Sequence, residues 1–151
     1  MALSANKIIK RKAQPCIKKY KVVDGDVRIY EGANLNYEAG NIGYVMPATD
    51  VLNAEFACIA LEELNVSAAD NTANGTFEIL GLPRGCGEEI LMDVTSNITI
   101  ANEGDPVYAD TDEKVDIASG ILNTTGGLVG IIRQFVSTNK AWVQMVQHPI
   151  L

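Results

Sequence analysis

The segment EGDPVYADTDEKVDIASGILNTTGGLVGIIRQFVSTNKAWVQM, residues 103–145, has the clearest secondary-structure pattern in the chain and determines the predicted fold class. Short runs of β-branched and aromatic residues alternate in it with Gly, Asn, Asp and Pro, which is typical of short strands joined by turns. We predict strands at 107–108, 128–132 and 141–145. Trp142, at an alternating position in the last of these strands, is predicted to anchor the core.

A weaker copy of this segment lies 72 residues upstream. After a shift of 72 positions, Leu35 falls on Val107 and the run FACIA falls on LVGII, residues 56–60 on 128–132. Each copy ends in an alternating strand whose spacing differs between the copies, 76–80 in the first and 142–146 in the second. Two copies are too few for a solenoid. We therefore predict two imperfectly repeated halves of one small barrel or sandwich, with chance similarity among common residues as the alternative.

The other apolar runs also indicate short strands bounded by turn residues. We predict a strand over 17–23 with a hairpin partner over 27–30, and further strands over 56–64 and 94–100. The sequence PRGCG, residues 83–87, is predicted to form a tight hairpin turn. Many short strands at close spacing predict an all-β fold class, a small β-barrel or sandwich of short antiparallel strands.

The composition fits one globular domain made in a reducing compartment. The chain has 151 residues, of which 47% are hydrophobic and 21% are charged. Its three cysteines, Cys16, Cys58 and Cys86, are odd in number and lack metal-ligand spacing, so we predict that they are buried small apolar residues. We find no signal-peptide pattern and no apolar run near the length of a membrane span, so neither secretion nor membrane insertion is expected.

The charge is distributed unevenly along the chain. Residues 1–21 contain seven basic and no acidic residues, so a chain of net charge −7 leaves −14 on the remainder. We predict a flexible basic N-terminal arm over 1–21 and an all-β domain over 22–151. A body of charge −14 repels a phosphate backbone, so nucleic-acid binding by the domain is not expected.

No set of residues in the sequence predicts a catalytic or metal site. His148 is the only histidine, so a Ser-His-Asp or Cys-His arrangement would depend on it. The acidic residues near position 110 lack the pattern of an EF-hand loop and are predicted to be solvated turn carboxylates: Asp105, Asp110, Asp112, Glu113 and Asp116. We therefore predict no enzymatic activity, no cofactor and no bound metal.

Three short motifs resemble the capsid decoration, or cement, proteins of tailed bacteriophages. That family typically shows PA-x-D, then an A-L-E segment and a later GDPVY turn, and this chain has PATD at 47–50, ALE at 60–62 and GDPVY at 104–108. The resemblance covers roughly residues 29–146, and its motifs are turns and strands. Cys58 stands where the family often has glycine.

The resemblance implies a structural virion protein, made in the host cytoplasm, that binds the outer surface of a phage capsid. Such proteins bridge neighbouring major capsid proteins and stabilise the head, often as homotrimers, and contact neither nucleic acid nor membrane. The basic arm lies outside the resemblance. Because a basic segment can become ordered on an acidic surface through many modest contacts, we expect these residues to bind the capsid: Lys7, Lys10, Arg11, Lys12, Lys18 and Lys19.

Two other functions remain as alternatives. A β-type fibre or carbohydrate-binding module of a phage particle would require an exposed aromatic cluster, for which the candidates are Tyr30, Tyr37, Tyr44 and Trp142. A small hydrolase would require a pocket that joins His148 to a nucleophile such as Cys86.

Overall fold

The computed structural model describes residues 16–146, which form two closed five-stranded β-barrels. The first barrel consists of β1 (Lys18–Val22), β3 (Asn34–Glu38), β4 (Asn41–Pro47), β5 (Glu55–Ala60) and β7 (Glu78–Pro83). The second barrel consists of β8 (Glu89–Val94), β9 (Pro106–Ala109), β10 (Lys114–Ile117), β11 (Leu128–Ser137) and β12 (Lys140–Met145). A two-stranded sheet pairs β2 (Val27–Ile29) with β6 (Leu64–Val66), and short 3₁₀ helices lie at Ile100–Asn102 and Ala118–Gly120. The predicted all-β fold class is confirmed.

The two barrels share one strand topology. The order around the ring is β1-β4-β3-β5-β7 in the first barrel and β8-β10-β9-β11-β12 in the second. In each barrel the first strand runs parallel to the third along the chain, and the other neighbouring pairs are antiparallel. The repeat is therefore a complete five-stranded unit. Each half closes its own barrel instead of supplying half of a shared one.

The 72-residue offset predicted from the sequence is reproduced in the strand pairing. Leu35 pairs with Cys58 in the first barrel, and Val107 pairs with Gly130 in the second. A register shift follows this pair directly in both barrels. Because the same pairing and the same irregularity recur at matching positions, chance similarity does not explain the repeat.

The last strand of each barrel does not follow the 72-residue offset of the other strands. Gly81 of β7 pairs with Ala60, and Val143 of β12 pairs with Ile132. Since residues 60 and 132 are equivalent, Gly81 and Val143 are equivalent, a separation of 62 residues. The spacing to the last strand therefore differs between the two copies, as predicted from the sequence. The connection between the fourth and fifth strands is a tight turn in the second barrel and a long segment containing β6 in the first.

The barrels are joined through a common hydrophobic core. Within the first barrel, alternating inward residues such as Val22, Leu35 and Ile79 form one buried cluster. A second cluster combines first-barrel residues with the interior of the second barrel. Phe56 of β5 is fully buried in this shared cluster beside residues such as Val129. The relative position of the barrels is thus set by apolar packing as well as by hydrogen bonds.

Three local predictions are corrected by the pairing. Residues 27–30 do not form a hairpin with β1, because both edges of β1 are occupied by β4 and β7, and β2 pairs instead with β6. The turn at 83–87 is the crossover between the two barrels, since β7 and β8 do not pair. Of the predicted strand 94–100 only Val94 lies in a strand, at the end of β8. The Ile98 amide donates to the Thr95 carbonyl at 3.2 Å, and Thr99 caps the first 3₁₀ helix. Polar side chains that bond to nearby backbone favour such turns over sheet.

Candidate functional site

The predicted capsid-binding residues are divided by the boundary of the described structure. Lys7, Lys10, Arg11 and Lys12 lie outside residues 16–146. Lys18 and Lys19 belong to β1, so the predicted boundary between arm and domain at residue 21 falls inside a barrel strand and is wrong. The cause is that alternating Tyr20 and Val22 are buried in the first barrel, which carries the lysines between them into the sheet.

The two strand lysines have local partners. The Lys18 ammonium lies 5.1 Å from the centroid of the Tyr20 ring, and the Lys19 ammonium lies 4.0 Å from a carboxylate oxygen of Glu78. The Lys19 and Glu78 side chains are well exposed, so this ion pair adds little to stability. Both ammonium groups can therefore exchange these partners for others at low cost.

The cysteines differ in their surroundings. Cys58 is fully buried, as predicted, whereas Cys16 is exposed and Cys86 is half-buried. Burial raises the pKa of the Cys86 thiol, and its sulfur lies 3.6 Å from the sulfur of Met145. A raised pKa keeps the thiol protonated and makes it a poor nucleophile. The other member of the hydrolase alternative, His148, lies outside the described residues.

The acidic residues near position 110 do not converge on one point. Asp116 is buried, and its carboxylate accepts hydrogen bonds from the Asn97 amide at 2.9 Å and from the Ile117 backbone at 2.8 Å. Asp105 accepts one from Asn102 at 3.0 Å. Within residues 16–146, no group of three or more His, Cys, Asp or Glu side chains has the arrangement of a metal site. The Asp116 and Asp105 carboxylates thus bind neighbouring backbone and side-chain groups.

Asp50, the last residue of the PATD motif, connects the two barrels. Its carboxylate accepts hydrogen bonds from the backbone amides of Leu122 at 2.7 Å and Asn123 at 2.9 Å. The buried Asn123 side chain donates in return to the Ala54 carbonyl. Loop 50–54 of the first barrel and loop 121–126 of the second are thereby held together. One motif behind the resemblance is thus a structural connection between barrels.

Exposed aliphatic side chains project from these two connected loops. Val51, Leu52 and Leu122, which we call the junction surface, are all exposed, Leu52 at 65% and Leu122 at 71% of the full residue area. Asn53 between them adopts a left-handed backbone with φ of 68°, which is uncommon for a residue other than glycine. Grouped apolar side chains on hydrogen-bonded loops mark sites of association more often than scattered ones do.

A second apolar surface lies on the outside of the second barrel. Trp142 and Leu91 are direct cross-strand partners on β12 and β8, and are 37% and 44% exposed. We call this pair the Trp142 surface. It is bordered by the Asp93–Lys140 ion pair at 2.6 Å and by a hydrogen bond from Arg133 to Gln144 at 2.8 Å. An aromatic residue with a polar rim is typical of binding hot spots.

The prediction that Trp142 anchors the core is wrong. On β12 the neighbouring residues Ala141 and Val143 are fully buried, so the alternation of the strand places Trp142 on the outer face. The pattern correctly predicted a strand, but alternation alone does not state which of its two faces is inside.

The candidate aromatic residues do not form one cluster. Tyr37 pairs with the buried Tyr20 at a centroid distance of 6.4 Å, and no other ring pair occurs in the part of the chain that the structure describes. The exposed Tyr30 ring is covered on one face by the Arg28 guanidinium, 4.6 Å from its centroid. Only isolated aromatic surfaces are therefore offered to a sugar ring.

The sequence prediction missed the residues of the junction surface. A signal was present, because Val51, Leu52 and Leu122 are apolar residues inside loops rich in Asp, Asn and Thr. Apolar side chains in such loops have no strand or helix face that would bury them. Their proximity, however, depends on the contact of Asp50 with the other barrel.

Comparison with known proteins assigns no family. No protein-family model matches the sequence, and no curated protein matches it. Residues 16–146 also contain no helix long and apolar enough to cross a lipid bilayer. Functional inference therefore depends on the residues, their geometry and the resemblance of the three motifs.

Proposed function

We propose that this protein decorates the outer surface of a tailed-bacteriophage capsid and stabilises the head by bridging major capsid proteins. The observation that carries the proposal is the presence of two apolar surfaces on one hydrogen-bonded two-barrel body. Exposed aliphatic and aromatic side chains contribute free energy when another protein covers them. This arrangement supports binding and assembly.

The positions of the two surfaces suit a bridging role. The junction surface lies where the barrels meet, and the Trp142 surface lies on the outer face of the second barrel. Two separate contacts on one body can engage two neighbouring capsid subunits. Binding at one contact then raises the effective concentration of the other, so modest contacts combine into strong attachment.

The basic residues provide a third contact in this proposal. Lys7, Lys10, Arg11 and Lys12 of the arm, together with Lys18 and Lys19 of β1, would bind an acidic capsid surface. The mature particle would carry the protein as a homotrimer made in the host cytoplasm, and the protein would act without catalysis. The resemblance of the PATD, ALE and GDPVY motifs supports this form of the proposal.

The test is co-sedimentation with purified expanded capsids that lack this protein. The full chain is compared with Leu52→Ser/Leu122→Ser, with Trp142→Ser, and with Ile42→Ser as a matched control. Ile42 is as exposed as Leu122, at 71%, but lies on the first barrel away from both surfaces. A variant without the arm must begin at Lys18 or earlier, since a later start would remove part of β1.

We expect saturable binding that weakens about tenfold or more for the junction and Trp142 variants and is unchanged for Ile42→Ser. Absence of saturable binding by the full chain would overturn the proposal. If glycans then bind the same preparation through Trp142, the carbohydrate-binding alternative replaces it.

A further inference from the structure

A cleft of about 370 Å³ lies between the two barrels. Its lining includes the apolar residues Ile59 from the first barrel and Ile90 and Met92 from the second. It also includes four acidic residues, one from the first barrel and three from the second: Glu31, Asp93, Asp112 and Glu113.

Three of these carboxylates have no basic partner in the part of the chain that the structure describes. Asp93 forms an ion pair with Lys140 at 2.6 Å, whereas no ion pair within residues 16–146 engages Glu31, Asp112 or Glu113. Like charges around a cleft repel one another and attract a cation. The cleft is therefore suited to a ligand with positive charge.

The backbone of the cleft is held in place by a buried asparagine. The Asn34 amide donates to the Asp112 carbonyl at 2.7 Å, and its side chain donates to the Thr111 carbonyl at 3.1 Å. Asn34 lies on β3 of the first barrel, and the two acceptors lie in the turn before β10 of the second. Since the carboxylates of Asp112 and Glu113 are carried by this fixed turn, a ligand would meet them already positioned.

A ligand that matches both the apolar and the acidic residues of this lining is a basic, partly aliphatic peptide. Residues 7–12 of this chain, KIIKRK, combine four cations with two isoleucines. Residues 1–15 carry these four basic residues and no acidic one, so the rest of a chain of net charge −7 carries −11. The arm and the cleft are therefore complementary in charge and in hydrophobicity.

The arm is long enough to reach the cleft of its own molecule. Lys18 pairs with Gly81, and Gly81 pairs with Ala60, the neighbour of the cleft residue Ile59. Because adjacent strands lie about 4.8 Å apart, the backbone of Lys18 is roughly 10 Å from that of Ala60. Residues 13–17, between the basic segment and Lys18, can span roughly 17 Å when extended.

We propose that residues 7–12 dock in the acidic inter-barrel cleft of the same chain. A tether this short gives the segment an effective concentration on the order of millimolar, so docking within one molecule prevails over docking between molecules in dilute solution. Docking does not depend on the proposed function. A transfer of the arm from the cleft to a capsid does rest on the proposed function. In that case the capsid and the cleft would compete for the same basic residues.

The experiment is limited trypsin digestion of the free full-length protein, with the N-terminal peptides followed by mass spectrometry. Trypsin cuts after Lys7, Lys10, Arg11 and Lys12, which docking would cover. The cleft variant is Asp112→Asn/Glu113→Gln. The matched control, Asp24→Asn/Glu78→Gln, removes the same charge from exposed positions of the first barrel away from the cleft.

We expect cleavage in the arm to be about fivefold faster in the cleft variant than in the wild type, and unchanged in the control. Added salt should accelerate cleavage in the wild type more than in the cleft variant, because salt screens the charges that hold the arm in the cleft. Since this effect is measured in the wild type, it does not depend on correct folding of the variant. Equal rates in all three proteins, or equal acceleration by the control, would overturn the docking. Wild-type protection that disappears on dilution would overturn docking within one chain. None of these outcomes involves capsids, so the proposed function is tested separately.

Discussion

Single hydrogen-bonding residues at the junction hold the two barrels in register. Asp50 accepts two backbone hydrogen bonds from the second barrel, and Asn34 donates to that barrel from the first. Backbone amides that lose a charged acceptor without gaining water leave an uncompensated polar group. The effect of each such residue on stability can be measured by substitution.

Asp50→Ala should lower the free energy of unfolding by roughly 1–3 kcal/mol, because the Leu122 and Asn123 amides lose their acceptor. Urea unfolding at neutral pH measures the change. Asp24→Ala, whose side chain is exposed, serves as the control and should change stability by less than about 0.5 kcal/mol. Equal effects of the two substitutions would contradict the assigned role of Asp50.

Asp110→Asn should stabilise the protein at neutral pH. Burial, followed by the neighbouring Asp116 and Asp50 carboxylates, raises the pKa of Asp110 above its ordinary value of 3.8. The folded state therefore disfavours the charged form of Asp110. The protonated Asp110 carboxyl contributes its full stability below the pKa of the unfolded chain, and this contribution is lost as the pH rises through the higher pKa of the folded protein. We expect a gain of about 0.5 kcal/mol at pH 7 that vanishes below the ordinary pKa. A gain that is the same at both pH values would show that charge is not the cause.

At the scale of the strands, the two barrels place a glycine on opposite sides of one contact. Position 58 is equivalent to 130 and position 81 to 143, and the glycine is residue 81 in the first barrel but residue 130 in the second. In the first barrel Gly81 leaves room for Cys58, since a Cβ at position 81 would lie 2.7 Å from the Cys58 sulfur. In the second barrel the glycine is on the other strand, and a Cβ at Gly130 would overlap the Gln144 carbonyl oxygen and lie 2.8 Å from a methyl of Val143. Each barrel thus accommodates one side chain at this contact.

Gly81→Val should destabilise the protein by about 2 kcal/mol or more, because the new side chain overlaps Cys58. Adding Cys58→Gly reproduces the arrangement of the second barrel and should recover at least about 1 kcal/mol of the loss. Thermal unfolding of the two single variants and the double variant forms a double-mutant cycle. Additive losses would show that the two positions do not compete for the same space.

At the scale of the whole molecule, the shared core predicts that both barrels unfold together. Phe56 of the first barrel is fully buried in the cluster that fills the second. Trp142 is the only tryptophan and reports on the second barrel, while the buried Cys58 thiol, whose pKa burial raises to about 12, reports on the first. The molecule therefore carries a natural probe in each half.

Urea unfolding followed by Trp142 fluorescence and by Cys58 reactivity should give coincident midpoints. Phe56→Ala should shift both midpoints together, with a loss of roughly 3–5 kcal/mol. Because Cys16 is exposed and Cys86 is half-buried, a Cys16→Ser/Cys86→Ser background isolates the Cys58 signal. Two separate midpoints in the wild type would show that the barrels are independent folding units.

The sequence by itself determined the all-β fold class, most of the strands and the 72-residue repeat. These features are local, because side-chain alternation and turn residues act on neighbouring positions. The strand pairing therefore confirms the predicted match of Leu35 with Val107 and of residues 56–60 with 128–132. The prediction of a strand over 94–100 was wrong because the polar side chains in this segment can hydrogen-bond to nearby backbone as readily as the backbone can pair with a neighbouring strand.

Only the tertiary structure decided the partners of each strand and the face that each strand turns outward. Because each half closes into its own barrel, both edges of β1 are paired, and β2 pairs with β6 instead. The same closure places Lys18 and Lys19 in the sheet. The face of β12 that contains Trp142 is turned outward. The hydrogen bond between Asp50 and Leu122 connects the loops that carry Leu52 and Leu122. The junction surface depends on contacts between residues 72 and 73 positions apart, and the order of residues along the chain does not specify such contacts.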